Sequence, residues 1–260
     1  VEVIITSSPG EASGFAARIA AALIRSKPRA VLGLATGSTP LGFYDELAAM
    51  RARGEINLSE IATFNLDEYV GLGPDHPQSY ARFMHEHFFS RVNMAPWRVH
   101  MPDGLAPDIA AHCKAYELAI VEAGGIDLQL LGLGSDGHIG FNEPGSSLGS
   151  RTRIKTLTEQ TIRDNARFFA SPAEVPRHVI TMGVGTILEA RRCLVLAFGE
   201  RKAAAVAAMA EGPVTADVPA SALQFHRSCS LLVDEAAAAK LKRADYYRWV
   251  YANKPDWQRP

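Results

Sequence analysis

Cysteine is scarce in this chain of 260 residues. Cys113, Cys193 and Cys229 are odd in number, far apart, and form no CxxC or Cys/His spacing. Neither a disulfide framework nor a zinc site is expected from them; reduced thiols buried in a core, as in a cytoplasm, are. Net charge is nearly absent too, at −1 from 27 basic and 28 acidic residues. The overall field therefore gives no reason to expect nucleic acid or an anionic membrane as partner, and any bound anion needs a local site. No apolar run approaches the ~20 residues that span a bilayer. The opening VEVIITSSPGEA has no basic stretch and only a short apolar run, so no signal peptide is expected. No long Pro/Gly/Ser linker divides the chain, and no repeat or low-complexity tract appears beyond alanine-rich helices. Together these absences lead us to expect a soluble, cytoplasmic protein with one domain over residues 1–260.

What the chain does have is apolar substance. Hydrophobic residues make up 47% and charged residues 21%, enough for a large core and too little charge for disorder. The pattern along it is strand, then helix, repeated. VEVIIT reads as a strand and residues 9–26 as a helix, with Phe15, Ile19 and Leu23 at helical spacing. RAVLGLAT (29–36) is an apolar, β-rich run ending in a turn, followed by a helix over 40–53 that Gly54 stops. EIATFNLDEY (60–69) holds a third strand. QSYARFMHEHFF (78–89) and PDIAAHCKAYELAIVEAG (107–124) are amphipathic helices, and IDLQLLGLG (126–134) is a buried strand. HVITMGVGTILEA (178–190) and RCLVLAFG (192–199) continue the alternation. RKAAAVAAMAEG (201–212) is a helix, SCSLLVD (228–234) a last strand, and a helix from Glu235 carries the tail. Apolar strands alternating with helices predict an α/β fold, a mostly parallel sheet covered by helices on both faces, Rossmann-like in a modified form. Ligands of such sheets bind beyond the carboxyl ends of the strands, so the loops after residues 36, 64, 134 and 199 belong together.

Each of those loops carries chemistry. ATGSTP (35–40) joins a strand to a helix. Gly37 permits a tight turn, and Ser38 and Thr39 put hydroxyls beside the free N–H groups of the helix start, which is an anion cradle. It lacks the lysine and spacing of a nucleoside-triphosphate loop, and the same pattern also serves as a plain helix cap. FNLDEYVGL (64–72) places two carboxylates, Asp67 and Glu68, at a strand end, as a cleft or a solvated acidic turn would. GLGSDGHIGFNEPG (132–145) packs five glycines with Asp136, His138 and Glu143. A carboxylate beside an imidazole holds its tautomer and raises its basicity, which suits acid–base work. Three ligand types without a second histidine make a metal site the weaker reading, and mutual satisfaction within a polar loop is the bland one.

Basic residues complete the set. Arg163 and Arg167 share a face if their segment is helical. Lys202 follows a strand at a helix start, where a cation is unfavourable unless an anion sits nearby. In SRTRIKTL (150–157), a strand would put Arg151, Arg153 and Lys155 on one face, as a second anion site or as a charged edge.

Taken together, LGLATGSTP (32–40), TFNLDEYVGL (63–72), HPQSYARFMHEHFF (76–89), LGLGSDGHIGFNEPGSSLGSRTRIKTLT (131–158), MGVGTIL (182–188) and the helix start at Lys202 closely resemble the glucosamine-6-phosphate deaminase (isomerase) family, in order and over most of the chain. The DGH core alone is shared with 6-phosphogluconolactonases; LDEYVGL and FNEP separate the two. The resemblance implies conversion of D-glucosamine 6-phosphate and water to D-fructose 6-phosphate and ammonia, in amino-sugar catabolism, with no metal or organic cofactor. It implies that His138 opens the sugar ring with the support of Asp136 and Glu143. Asp67 would take the C2 proton, and phosphate would fall to Gly37, Ser38 and Thr39 with Arg167 and Lys202. It further implies a candidate site for an activator, N-acetylglucosamine 6-phosphate, at a subunit interface, where Ser146, Arg153, Lys155 and Thr156 match. The family also uses a tyrosine near the carboxyl end; in RADYYRWVYANKPDW an ungapped match lands on Arg248, beside Tyr247. Family members are monomers or hexamers, so a homo-oligomer is one expectation. The alternatives are a 6-phosphogluconolactonase-like hydrolase and a sugar-phosphate sensor domain. A sensor should carry a DNA-binding segment, which is not found in this sequence.

Overall fold

The computed structural model describes residues 1–169, 171–255 and 258. Seven strands make the main sheet, every neighbouring pair parallel: β1 (Glu2–Thr6), β2 (Val31–Leu34), β3 (Ala62–Asn65), β5 (Val99–His100), β6 (Leu128–Gly132), β9 (Cys193–Ala197) and β10 (Cys229–Asp234). Their order is β1-β10-β9-β6-β2-β3-β5. A second, antiparallel sheet orders β4 (Asp67–Tyr69), β8 (His178–Thr181) and β7 (Arg153–Thr156), with β8 in the middle. The fold is thus α/β and Rossmann-like, modified by the small sheet.

Alternation along the strands sorts side chains to two faces. Leu32, Leu128, Leu130, Leu194, Leu196 and Leu232 pack beneath α1 (Pro9–Ser26), α2 (Leu41–Ala52) and the helix that runs from α3 (Tyr80–Met84) through a π-turn (His85–Phe89) into α4 (Ser90–Val92). Val31, Phe64, Leu131, Val195 and Leu231 face the other way, towards α5 (Ile109–Glu122), α7 (Val184–Leu188), α8 (Ala203–Glu211) and α9 (Glu235–Ala238). Each fully buried side chain of this kind contributes about 1.5–3 kcal/mol relative to exposure. Two further helices, α6 (Glu159–Asn165) and α10 (Ala244–Ala252), lie beside the small sheet's cluster and β1 respectively. Helix starts obey local chemistry: Ser8 and Asp108 each accept an N–H from the residue three positions on, Glu11 and Ala111, and Glu11 reaches back to the Ser7 N–H at 2.8 Å.

The structure departs from the sequence reading at four places. EIATFNLDEY is not one strand: the chain leaves the main sheet at Leu66, whose N–H donates to Leu34 O at 3.0 Å and whose carbonyl accepts from Met182 N at 2.7 Å. Asp67 and Glu68 therefore begin a strand of the other sheet. A pair of carboxylates has no place inside a parallel sheet covered on both faces. The Lys202 helix is preceded by a 3₁₀ turn over Glu200–Lys202. The tail helix stops at Ala238 and restarts at Ala244; Asp256 and Trp257 of the quoted tail lie outside the described residues. Arg151 precedes β7 and is held by Glu117 and by Glu189 at 2.5 Å, so it does not share a face with Arg153 and Lys155.

The strand order turns at β2. From there the chain goes to β3 and β5 on one side, while β6, β9, β10 and β1 lie on the other. Asp127 pins this junction from below: its buried carboxylate accepts from Val31 N at 2.8 Å, Lys27 Nζ at 2.8 Å and Arg191 Nη1 at 2.9 Å. Asp127→Ala leaves a buried amide without its acceptor and frees two half-exposed cations, and is expected to cost about 2 kcal/mol in urea unfolding with the catalytic constants unaltered.

Candidate active site

The loops after β2, β3, β6 and β9 all open on the carboxyl side of the sheet, at the β2/β6 switch point where such folds bind ligands. They enclose an inner cavity of about 230 Å³ whose walls include Thr36, Thr39, Asp67, Tyr80, His138, Thr161, Asn165 and Lys202. An outer cavity of about 940 Å³ shares Thr36, Thr39, Tyr80, His138, Asn165 and Lys202 with it and adds Gly37, Ser38 and Arg167. The sequence-derived residues Gly37, Ser38, Thr39, Asp67, His138, Arg167 and Lys202 thus converge on one place.

The two adjacent carboxylates have different surroundings. Asp67 is buried in the wall of the inner cavity; burial first, and then the charge of Glu68, push its carboxyl up to about 8. Glu68 turns to the start of α3, where its oxygens accept from Tyr69 N at 2.8 Å, Tyr80 N at 2.9 Å and Ala81 N at 2.8 Å. Burial outweighs those three bonds, and its carboxyl also sits above the usual range. Glu68 is a helix-capping group, and Asp67 is the carboxylate that faces the cavity.

Across from Asp67, Asp136 Oδ1 lies 2.6 Å from His138 Nδ1 and 3.2 Å from the His138 N–H. Burial opposes ionisation of Asp136, but the bonds and charge of His138 outweigh it and hold the carboxyl at about 2. An ionised Asp136 accepts, so Nδ1 of a neutral His138 carries the proton and Nε2 is left as a base. Gly134 makes room for this arrangement: a Cβ there would come within 2.3 Å of the His138 ring.

Glu143 lies elsewhere than the sequence reading placed it. Its buried carboxylate makes no hydrogen bond to His138; it accepts from Thr158 Oγ1 at 2.9 Å and Thr161 Oγ1, and from Thr158 N at 3.3 Å. Thr158 in turn caps α6, so Glu143 holds the start of the helix whose Thr161 and Asn165 line the inner cavity. Support of His138 by direct contact falls to Asp136 alone. Tyr80, Thr161 and Asn165 were not singled out from sequence; Asn165 Nδ2 donates to Tyr69 OH at 2.9 Å. The only signal was proximity in sequence to quoted motifs, because Arg163 drew attention in that segment. Arg163 is exposed, bonded to Glu159 and Gln160 at 3.3 Å. The α-helix ends at Asn165 and tightens into a 3₁₀ turn, so Arg167 does not continue its face.

The candidate effector residues lie around β7. Ser146 is buried, and its Oγ has no hydrogen-bond partner among the described residues. Arg153 and Lys155 are half-buried on one side of β7, whereas Thr156 is exposed on the other with Ile154. Arg248 is tied to Glu235 at 2.6 Å and Asp245 at 3.1 Å. Among the described residues no three His, Cys, Asp or Glu side chains are grouped as metal ligands, and no helix is long and apolar enough to cross a membrane.

Residues 10–232 match the family model described as glucosamine-6-phosphate isomerases/6-phosphogluconolactonase. The chain belongs to this family. Within it, the chain is 57% identical over 258 residues to a glucosamine-6-phosphate deaminase of Arthrobacter sp. (strain FB24), covering 99% of each. It superposes on a monomeric glucosamine-6-phosphate deaminase with a TM-score of 0.90 at 45% identity, covering 92% of this chain and 100% of the other. The 6-phosphogluconolactonase of Trypanosoma cruzi shares the fold, at a TM-score of 0.72 and 22% identity over 93% and 97% of the two chains.

Burial of Asp67 has a cost visible in stability. Its carboxyl keeps its proton in the folded family member while the unfolded chain sheds it at the ordinary carboxylate value. Stability that Asp67 leaves intact at low pH is therefore lost as pH rises from about 4 towards about 8. Asp67→Asn is expected to be about 5 kcal/mol more stable than the parent at pH ~8, with the gap closing towards pH ~4. Urea titrations across that range measure it.

Proposed function

We propose that this protein is a glucosamine-6-phosphate deaminase, converting D-glucosamine 6-phosphate and water to D-fructose 6-phosphate and ammonia, with residues 1–260 acting as one catalytic domain. The observation that carries the reading is a buried carboxylate, Asp67, and a separate imidazole, His138, in the walls of one cavity, with Asp136 bonded to that imidazole. Full-length identity to deaminases supports the same reading. Hydrolysing a lactone calls for no carbon-acid base, so a buried Asp67 would have no task there.

The chemistry follows from the two environments. The closed sugar must first open: His138 Nε2 takes the proton of the anomeric hydroxyl and returns one to the ring oxygen, its tautomer held by Asp136. Asp67 then takes the C2 proton while O1 gains one from the substrate's ammonium, giving the enolamine, and the return of the Asp67 proton to C1 leaves a protonated imine at C2. Water adds to that imine, and the carbinolamine expels ammonia, giving the ketose. With its carboxyl pushed up to about 8, Asp67 acts in its ionised form, which is a far stronger base than an exposed carboxylate and suits the abstraction of a carbon-bound proton. Phosphate is assigned to the start of α2, where Pro40 provides no side-chain cap and Gly37, Ser38 and Thr39 turn past the helix N–H groups, together with Arg167 and Lys202. Binding at that remote end orients C1 and C2 against Asp67. Glu143 acts on this assembly through α6.

The three cysteines are free and buried, which suits a reducing cytoplasm. N-acetylglucosamine 6-phosphate is the proposed activator, with the unsatisfied Ser146 hydroxyl, Arg153 and Lys155 as its anchors and Thr156 beyond them. An activator held at a subunit interface calls for a homo-oligomer, which is the proposed state; a monomer in sedimentation, as in the 45% identical relative, would correct it.

The direct test is ammonia release from D-glucosamine 6-phosphate, with and without N-acetylglucosamine 6-phosphate. Asp67→Asn is expected to lower kcat by roughly 10²–10⁴-fold; unchanged deamination would refute the assignment, and turnover of 6-phosphogluconolactone instead would establish the other branch. His138→Gln should slow closed-ring substrate far more than an acyclic analogue. Equal losses on both would remove ring opening from its role.

A further inference from the structure

Asp234 ends β10 outside both cavities, and no step above uses it. Its carboxylate is buried and does two things at once. Oδ1 accepts from Ala237 N at 2.9 Å, capping α9. The same carboxylate grips the amide of Gly199, with Oδ1 at 2.9 Å and Oδ2 at 3.2 Å. Gly199 is the first residue of the turn that leaves β9 for Lys202. Its φ is 83°, a conformation that side-chain-bearing residues avoid, and a Cβ there would meet nothing within 4 Å. No packing therefore holds this backbone from the side. Its carbonyl accepts from the Lys202 N–H at 2.9 Å. A hydrogen-bonded relay thus runs from a buried carboxylate through one glycine to the lysine that lines both cavities.

We propose that Asp234 is a positioning residue for Lys202: by holding the Gly199 amide, it sets the turn that presents the ammonium to the substrate's phosphate. The proposal rests on the reading of Lys202 as a phosphate ligand. A charged acceptor on a backbone amide is among the stronger hydrogen bonds. Without it, the turn has to be ordered each time substrate binds, and that cost falls on affinity. Asp234 approaches none of the reacting carbons, so the bond-making steps keep their barrier. The signature is a raised KM at constant kcat, as for any loss of binding shared by ground and transition states.

The test is steady-state deamination by Asp234→Ala, with inorganic phosphate as competitive inhibitor. We expect KM for glucosamine 6-phosphate and the inhibition constant of phosphate both to rise about tenfold with kcat unchanged. Asp234→Asn, which keeps an oxygen for Gly199 and Ala237, should restore both to within about twofold. Gly199→Ala, which disturbs the same turn without touching the α9 cap, should reproduce the split even if Asp234→Ala fails to fold. In a Lys202→Ala background, Asp234→Ala should add nothing. A fall in kcat without change in KM, or full additivity with Lys202→Ala, overturns the proposal. Lys202→Ala alone separates the two levels: if it leaves the phosphate constant unchanged, the phosphate role itself fails. If it raises that constant and neither Asp234→Ala nor Gly199→Ala does, only the positioning role fails.

Discussion

Asp67 has to be dry and reachable at the same time. A carboxylate taken out of water loses hydration that only fixed dipoles or countercharges can replace, and among the described residues no hydrogen bond is made to this one. The result is a carboxyl pushed from 3.8 up to about 8, each unit representing about 1.4 kcal/mol of folding free energy set aside. That expense is borne by the sheet, whose two faces bury leucine, isoleucine and valine over its whole central width. It also explains the neighbours. Glu68, which would otherwise add an unmanaged charge to the same place, is turned to the start of α3 and satisfied by three backbone amides.

The site therefore separates proton chemistry by environment rather than by residue type. Asp67 and Asp136 are both aspartates in the same small region, yet one carboxyl lies near 8 and the other near 2. The first is buried beside a like charge; the second bonds to an imidazole and remains half exposed. Groups whose values are driven apart in this way can act as distinct acids and bases in a single turnover.

Much of this was legible in the sequence, for reasons that can be named. Helix α1 was readable over its full length because Ser8, Pro9 and the spacing of Phe15 and Ile19 all agree. The strands β6, β9 and β10 were readable because they are apolar on both faces. The cavity residues were readable because glycine and polar groups follow those strands directly. What escaped detection depends on long-range partners. The break at Leu66 is made by Leu34 and Met182, distant in sequence, and the local pattern runs through it without a signal. The resemblance assigns Glu143 to the support of His138; its hydrogen-bond partners, Thr158 and Thr161, come from the start of α6. Thr161 and Asn165 bear no feature of their own and matter only because that helix lies against the cavity.

Leu66 bonds forward to one sheet and sideways to the other, and so works as a single shared stitch between them. One consequence concerns how such a protein tolerates change. An insertion on either side of Leu66 would shift the reading frame of side-chain directions in one sheet while leaving the other in place, and would turn Asp67 out of the cavity. Length variation must then be excluded from this short stretch and absorbed in the outer loops, so the distance along the chain between β3 and Asp67 is a quantity as strictly constrained as the identity of the residue itself.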